Sequence, residues 1–356
     1  MKKTEVTVNA GRQVQYELLR ILAMLGVVMN HVFNYGLHIY DDFSVDVSTW
    51  QGGAVWSVLE LMKLMALPSV NCYILITGYF LADRHQLRLK GIWRVWSTTW
   101  FYAVGIYLLA IVLGIETFEW HELLRHATPL LSNSYWFVTS YVILLLLAPI
   151  IAWCLQRLSK RQYQAALLVG AVVCFQPFLG HVLMDRQQVL LFVYLFMIGG
   201  YIRRYYDPLS RAVYPALACV VVLVLMFAYT LYKNETAASQ HFNIFAMEYH
   251  GLVLPLSVAI FLWTIHWRFN REAVRRAIML VAPLSFAVYI IHTQSVVDTW
   301  LWDSTSPWFG GMSVPLLPLA CVAVTLAVFV LCIAMEYVRK KFAHQLFSKL
   351  PLPFRE

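Results

Sequence analysis

Charge is scarce in this chain. Only 13% of its 356 residues are Asp, Glu, Lys or Arg, about half of what a soluble globular domain carries. That leaves too little polar surface to cover a water-soluble particle, and no polar stretch is long enough to build one soluble domain. Low-complexity segments are missing, and so are repeats with a period of roughly 20–50 residues, which excludes solenoids and propellers. Cysteine chemistry is equally thin. Cys72, Cys154, Cys174, Cys219, Cys321 and Cys332 all lie inside apolar runs, with no C-x-x-C and no histidine at ligand spacing. They read as small apolar packing residues, and the sequence offers no metal site.

What is abundant is apolar. Hydrophobic residues make up 60% of the chain and aromatics 15%, including 13 Trp, and the mean hydropathy is +0.64. This composition predicts an all-α integral membrane protein, a single domain over 1–356, with aromatic anchors at two membrane interfaces. A spanning helix needs about 20 mostly apolar residues. Such runs lie near 17–37, 54–82, 93–114, 134–156, 163–183, 187–206, 212–233, 243–266, 277–300 and 315–339, which predicts about ten transmembrane helices. Pro68 is expected to break or tilt the second, and Gln176, Pro177 and His181 interrupt the fifth. A polar segment, 1–15, precedes the first run. That run contains Arg20 and His31 and reads as a retained helix rather than a signal peptide.

The net charge of +8 is spread in short basic clusters between apolar runs, which is the pattern of membrane orientation and not of nucleic-acid binding. The termini, with the basic tail 340–356, and loops 83–92, 157–162, 203–211 and 267–276 hold twenty of the 27 Lys and Arg. The five opposite loops hold only Arg125, Arg186 and Lys233, together with Asp41, Asp42, Asp46, Glu116, Glu119 and Glu122. The positive-inside rule then puts both termini in the cytoplasm.

Ionisable groups inside a span are expensive and are candidates for function. Arg20 and His31 are eleven residues apart, almost three helical turns, so they share a face about 16 Å apart along the axis. In the ninth run Ser285, Tyr289 and His292 stand at i, i+4 and i+7 and form one polar stripe. His31 and His292 both fall about 21 Å from the cytoplasmic end of their helices. Glu248 and His250 reach a comparable level, while Glu60 and Lys63, three residues apart, read as a structural pair. Several proton-carrying groups thus converge on one layer, as a general base and its orienting partners require.

These residues resemble a known family. Arg20 to His31, R-I-L-A-M-L-G-V-V-M-N-H, is similar to the R-x10-H first-helix motif of the membrane acyltransferase 3 family, which includes bacterial surface-polysaccharide O-acetyltransferases. Ile76 to Leu81, Ser134 to Pro149 and Leu284 to His292 resemble further family segments, in order along nearly the whole chain. Many members carry R-x-x-R entering the third helix. This chain has Arg84, Arg88, Lys90 and Arg94 there, none at that spacing. Some members carry a fused extracytoplasmic esterase-like domain, and none is expected here.

The resemblance implies a protein of the bacterial inner membrane with no permanently bound cofactor and with acyl-CoA, acetyl-CoA first, as co-substrate. Arg20, Arg88, Lys90 and Arg94 are the implied phosphate partners. His31 is the implied catalytic group. It deprotonates an acceptor hydroxyl or is itself transiently acylated. His292 and Glu248, from the same polar layer, are the further catalytic candidates. Ser285, Tyr289, Tyr135 and Trp136 are placed at the acceptor or in support, with Trp50, Tyr135 and Trp136 either stacking on a sugar or serving as interfacial anchors. The implied partners are the lipid bilayer and a saccharide or lipid-linked glycan acceptor. A proton-coupled or lipid-linked-sugar transporter is the competing reading; the paired broken helices of such proteins are not visible beyond Pro68 and Pro177.

Overall fold

A computed structural model describes residues 13–37, 53–175, 188–236 and 251–348. Glu248, His250, Trp50, Gln176, Pro177 and His181 lie outside the described residues. Every regular element within them is helical: α1 (Val14–His31), continued by a π turn (Val32–Gly36), α2 (Ala54–Ala66), α3 (Ser69–Leu81), α4 (Leu89–Val112), α5 (Trp120–Ala127), α6 (Trp136–Arg157) and α7 (Lys160–Phe175). There follow α8 (Val189–Tyr205), α9 (Val213–Thr236), α10 (Val253–Ile265), α11 (Glu272–Val281), α12 (Ser285–His292), α13 (Ser295–Gly310) and α14 (Leu317–Ser348).

Seven described segments are long and apolar enough to cross a bilayer, where the hydropathy reading expects ten. The other three runs contain α7, α8 and α10, of 16, 17 and 13 residues. At 1.5 Å per residue α8 and α10 are about 26 and 20 Å long, short of a ~30 Å hydrocarbon core, and the described part of α7 is about 24 Å long. α8 is walled in by protein, with Leu191, Phe192, Leu195 and Phe196 fully buried. Its apolar character serves helix packing as much as any contact with lipid.

Local chemistry sets the breaks. Pro68 has no N–H to continue the helix, so α2 stops and α3 restarts at Ser69, whose hydroxyl donates to the carbonyl of Ala66 at 2.6 Å. The run predicted at 277–300 is not one helix. Amphipathic α11 begins in what reads as a cytoplasmic loop, Pro283 sits in a 3₁₀ turn (Ala282–Leu284), and α12 ends at His292. Gln294 then caps α13, its Oε1 accepting from the backbone N–H groups of Val296 and Val297 at 2.9 and 3.2 Å.

The tightest packing joins α3 to α8. A Cβ on Gly78 would run into the backbone of Phe196, and one on Gly199 would lie 2.5 Å from the carbonyl oxygen of Leu75 and 2.8 Å from the amide nitrogen of Tyr79. Without a hydrophobic force between helices in lipid, such small residues let backbones close on each other. Gly26 brings α1 against Ser69 in the same way.

The basic connections gather at one end of the bundle. Arg203 pairs with Asp83 at 3.6 Å, Arg204 donates to the carbonyl of Leu155 at 3.3 Å, and Gln156 donates to that of Ala82 at 3.1 Å. Tyr206 meets His266 at 3.0 Å. At the same end Glu336 is buried among Tyr102 (2.9 Å), Arg339 (2.7 Å) and Lys340 (3.4 Å), and Lys340 also donates to the carbonyl of Pro283 at 2.9 Å. Deeper in the bundle Glu60 and Lys63 are both fully buried on α2. Thr230 of α9 donates to Glu60 at 3.2 Å.

Gly199→Ala is expected to destabilise the folded protein by about 1–3 kcal/mol, the usual cost of overpacking. Gly105→Ala, where a Cβ meets nothing within 4 Å, should stabilise it by about 0.5–1 kcal/mol. Thermal unfolding of the two variants in detergent checks both signs.

Candidate active site

α1 delivers His31 at its last α-helical position, and the π turn follows at once. A π turn inserts extra backbone into the helix and re-aims the side chains around it. It places the His31 ring 5.4 Å from the Tyr35 ring and 5.0 Å from that of His292. His31 Nδ1 lies 2.9 Å from His292 Nε2. The other ring nitrogen of His292, Nδ1, sits 2.5 Å from the carbonyl oxygen of Val288, one turn back on α12.

That chain of contacts assigns the protons. A carbonyl only accepts, so His292 Nδ1 carries a hydrogen and, in the neutral ring, its Nε2 is left with a lone pair. That lone pair takes the N–H of His31 Nδ1. His31 Nε2 then carries the lone pair that a base needs. His292 is fully buried, while His31 is half-buried and lines a pocket.

The pocket holds about 620 Å³ of empty space. It runs along one face of α1, past Met24, Val27, Asn30 and His31, and is closed by Leu67 and Val70 at the α2–α3 break, Tyr73 of α3, Trp136 and Phe137 of α6, and Tyr289 of α12. Of the predicted acceptor or support residues, Trp136 and Tyr289 face it directly. Ser285 acts beneath it: its hydroxyl donates to the carbonyl of Ala282 at 2.9 Å and lies 3.3 Å from the Tyr73 hydroxyl, which donates to the backbone carbonyl of Arg20 at 3.0 Å. Tyr135 lies in the core at 2% exposure, its ring 6.4 Å from that of Tyr289. Its ring offers no open face for a sugar.

A second, larger hollow opens at the basic end. It takes in about 1460 Å³ of empty space, part of it open to solvent, and is lined by Arg84, Arg88, Lys90 and Arg94, with Tyr141 and Pro149 of α6 on the far side. Three of the four predicted phosphate partners therefore share one basin. The fourth, Arg20, stands apart from its lining and pairs with Glu17 at 2.6 Å. One stacked pair of rings links the linings of the two hollows. Phe137 lines the first and Tyr141 the second, the two stack at 5.6 Å, and Tyr141 meets Thr77 at 3.2 Å.

The periodicity of the sequence pointed to His31, His292 and Tyr289 but passed over several neighbours. Asn30 and Tyr73 gave no signal among the polar candidates. Glu17 stands one helical turn before Arg20, a pairing that was legible. The π turn has no sequence signature.

The class these features define is a multi-pass helical membrane protein with a histidine pair at a pocket among its helices. The acyltransferase domain of the acyltransferase 3 family matches residues 14–336, and the chain belongs to that family. No curated protein and no solved structure matches it. It is a membrane acyltransferase.

His292→Ala removes the acceptor that holds the His31 proton on Nδ1. It is expected to slow acyl transfer by about 10- to 100-fold, less than His31→Ala does, because the base survives without its orienting partner. Rates of labelled acyl transfer by equal amounts of folded protein give the comparison.

Proposed function

We propose that the chain is an O-acyltransferase of the bacterial inner membrane that moves an acetyl group from cytoplasmic acetyl-CoA to a hydroxyl of an extracytoplasmic saccharide or lipid-linked glycan. The observation that carries this reading is the His31 Nε2 lone pair in a pocket whose lining one stacked pair of rings links to a basin of four cations. In this reading ten spans, three of them short, place both termini and the basic basin in the cytoplasm, following the Lys and Arg distribution.

Arg84, Arg88, Lys90 and Arg94 hold the phosphates of the donor, where planar Arg groups suit phosphate oxygens. The neutral pantetheine arm carries the thioester past Tyr141 and Phe137 towards His31. His31 Nε2 takes the proton of the acceptor hydroxyl as its oxygen attacks the thioester carbonyl. The tetrahedral intermediate collapses, the C–S bond breaks, and the imidazolium returns the proton to the leaving thiolate. Acetyl-CoA and alcohol become ester and free thiol, with no net proton released. The layer of buried polar groups thereby serves chemistry rather than ion flux.

His31→Ala should reduce acetylation of the surface glycan by about 10²- to 10⁴-fold, the usual contribution of a general base. Mass spectrometry of the glycan from cells producing folded variant protein measures it. Full acetylation would overturn the assignment, and substrate flux in vesicles without acetyl transfer would make the protein a transporter. Arg88→Ala and Lys90→Ala should each raise the KM for acetyl-CoA roughly tenfold with little change in kcat, as loss of a charged hydrogen bond to a bound group predicts.

A further inference from the structure

The pocket contains a polar group that the transfer chemistry above does not use. Asn30 precedes His31 on α1 and lines the same pocket. Its side-chain oxygen is shielded from solvent and has no hydrogen-bond partner among the described residues. Four residues on, in the π turn, Asn34 repeats the pattern, its Oδ1 also buried and unpartnered among the described residues. A buried oxygen left unpaired costs about 1–3 kcal/mol, so a carboxamide held beside the base is built for something that binds there.

The chemistry of the reactants narrows what that is. An amide oxygen accepts hydrogen bonds and needs a donor. The thioester itself offers only a carbonyl oxygen, a sulfur and C–H groups, none of which donates, and the pantetheine amide N–H nearest the sulfur belongs to the donor, so a bond to it would show in the affinity for acetyl-CoA. The reacting hydroxyl has a single proton, and that proton goes to His31 Nε2. The group that engages Asn30 without altering donor affinity is a second hydroxyl on the acceptor, close to the first.

We propose that Asn30 is an acceptor-positioning residue, whose Oδ1 takes a hydrogen bond from a hydroxyl neighbouring the one that is acylated, so that the substrate is a polyol with two adjacent hydroxyls. The proposal rests on the acyl-transfer reading of His31. Two contacts, one to each hydroxyl, fix the ring in the plane of attack, where a single contact would let it turn. A site built to bond a substrate hydroxyl also rejects analogues that lack it, because its own oxygen is then left unpaired.

The experiment uses the full chain in detergent, labelled acetyl-CoA, and membranes bearing the surface glycan as acceptor. Asn30→Leu keeps the size of the side chain and removes the oxygen; Asn30→Gln keeps a neutral carboxamide. Asn30→Leu is expected to lower ester formation tenfold or more while the Kd for acetyl-CoA changes less than twofold, and Asn30→Gln to restore ester formation to within about threefold of the parent. Unchanged transfer in Asn30→Leu overturns the proposal. So does a rise in the Kd for acetyl-CoA that parallels the loss of transfer: restored by Asn30→Gln it puts Asn30 on the donor's amide, and unrestored it marks a packing residue. Failure of the underlying reading looks different: the parent protein forms no ester, or His31→Ala forms as much as the parent does.

Discussion

The hydrogen bond from His292 to the carbonyl of Val288 decides the chemistry of the site. In a helix that carbonyl already has an amide partner one turn on, but a carbonyl has two lone pairs and can take a second donor. Once it does, His292 has a single arrangement in its neutral form, and His31 inherits the complementary one. In many hydrolases a carboxylate does this orienting work and also stabilises the charged imidazole. Here the orienting group is a neutral ring backed by a neutral carbonyl, in keeping with a site from which ions are excluded. A carboxylate at this depth would need a counter-ion of its own.

The rest of the fold protects that arrangement. α1 and α12 must stay in register for two rings 261 residues apart in sequence to meet at 2.9 Å. The Tyr73 hydroxyl spans them from α3, bonding the backbone of Arg20 on one side and approaching Ser285 on the other. α3 itself is immobilised by its glycine seam with α8. Gly26 lets α1 sit close to the α2–α3 break, so the wall of the pocket and the helix that carries the base are set by the same contact. The buried Glu60 and Thr230 fasten α2 to α9 beyond that wall.

Hydropathy and charge made much of this legible: the helical class, the break at Pro68, the basic end of the bundle, and the shared face of Arg20 and His31. Periodicity shows which face of a helix is polar, but not what faces it. The His31–His292 contact therefore appeared only as two residues at one depth. Tyr135 shows the same limit: it looks free to meet a ligand when read alone, yet it is packed on Tyr289. The span count was less legible: seven described segments are long and apolar enough to cross a bilayer, and hydropathy alone does not tell a long apolar helix from a short one such as α8, of 17 residues.

The separation of the two hollows follows from electrostatics. A donor with several phosphates brings negative charge that is stable beside exposed cations and water but costly in the bilayer core. The four basic residues lie at the bundle's basic end, and the residues lining the histidine pocket include no Lys or Arg. In the proposed reading, charge is held in the basin while a neutral thioester passes the Phe137–Tyr141 layer. Within that proposal the same division favours a neutral acyl group. A succinyl carboxylate reaching His31 would lie against Met24, Val27 and Leu67 with no cation among the described lining residues, whereas an acetyl group has only a methyl to bury there.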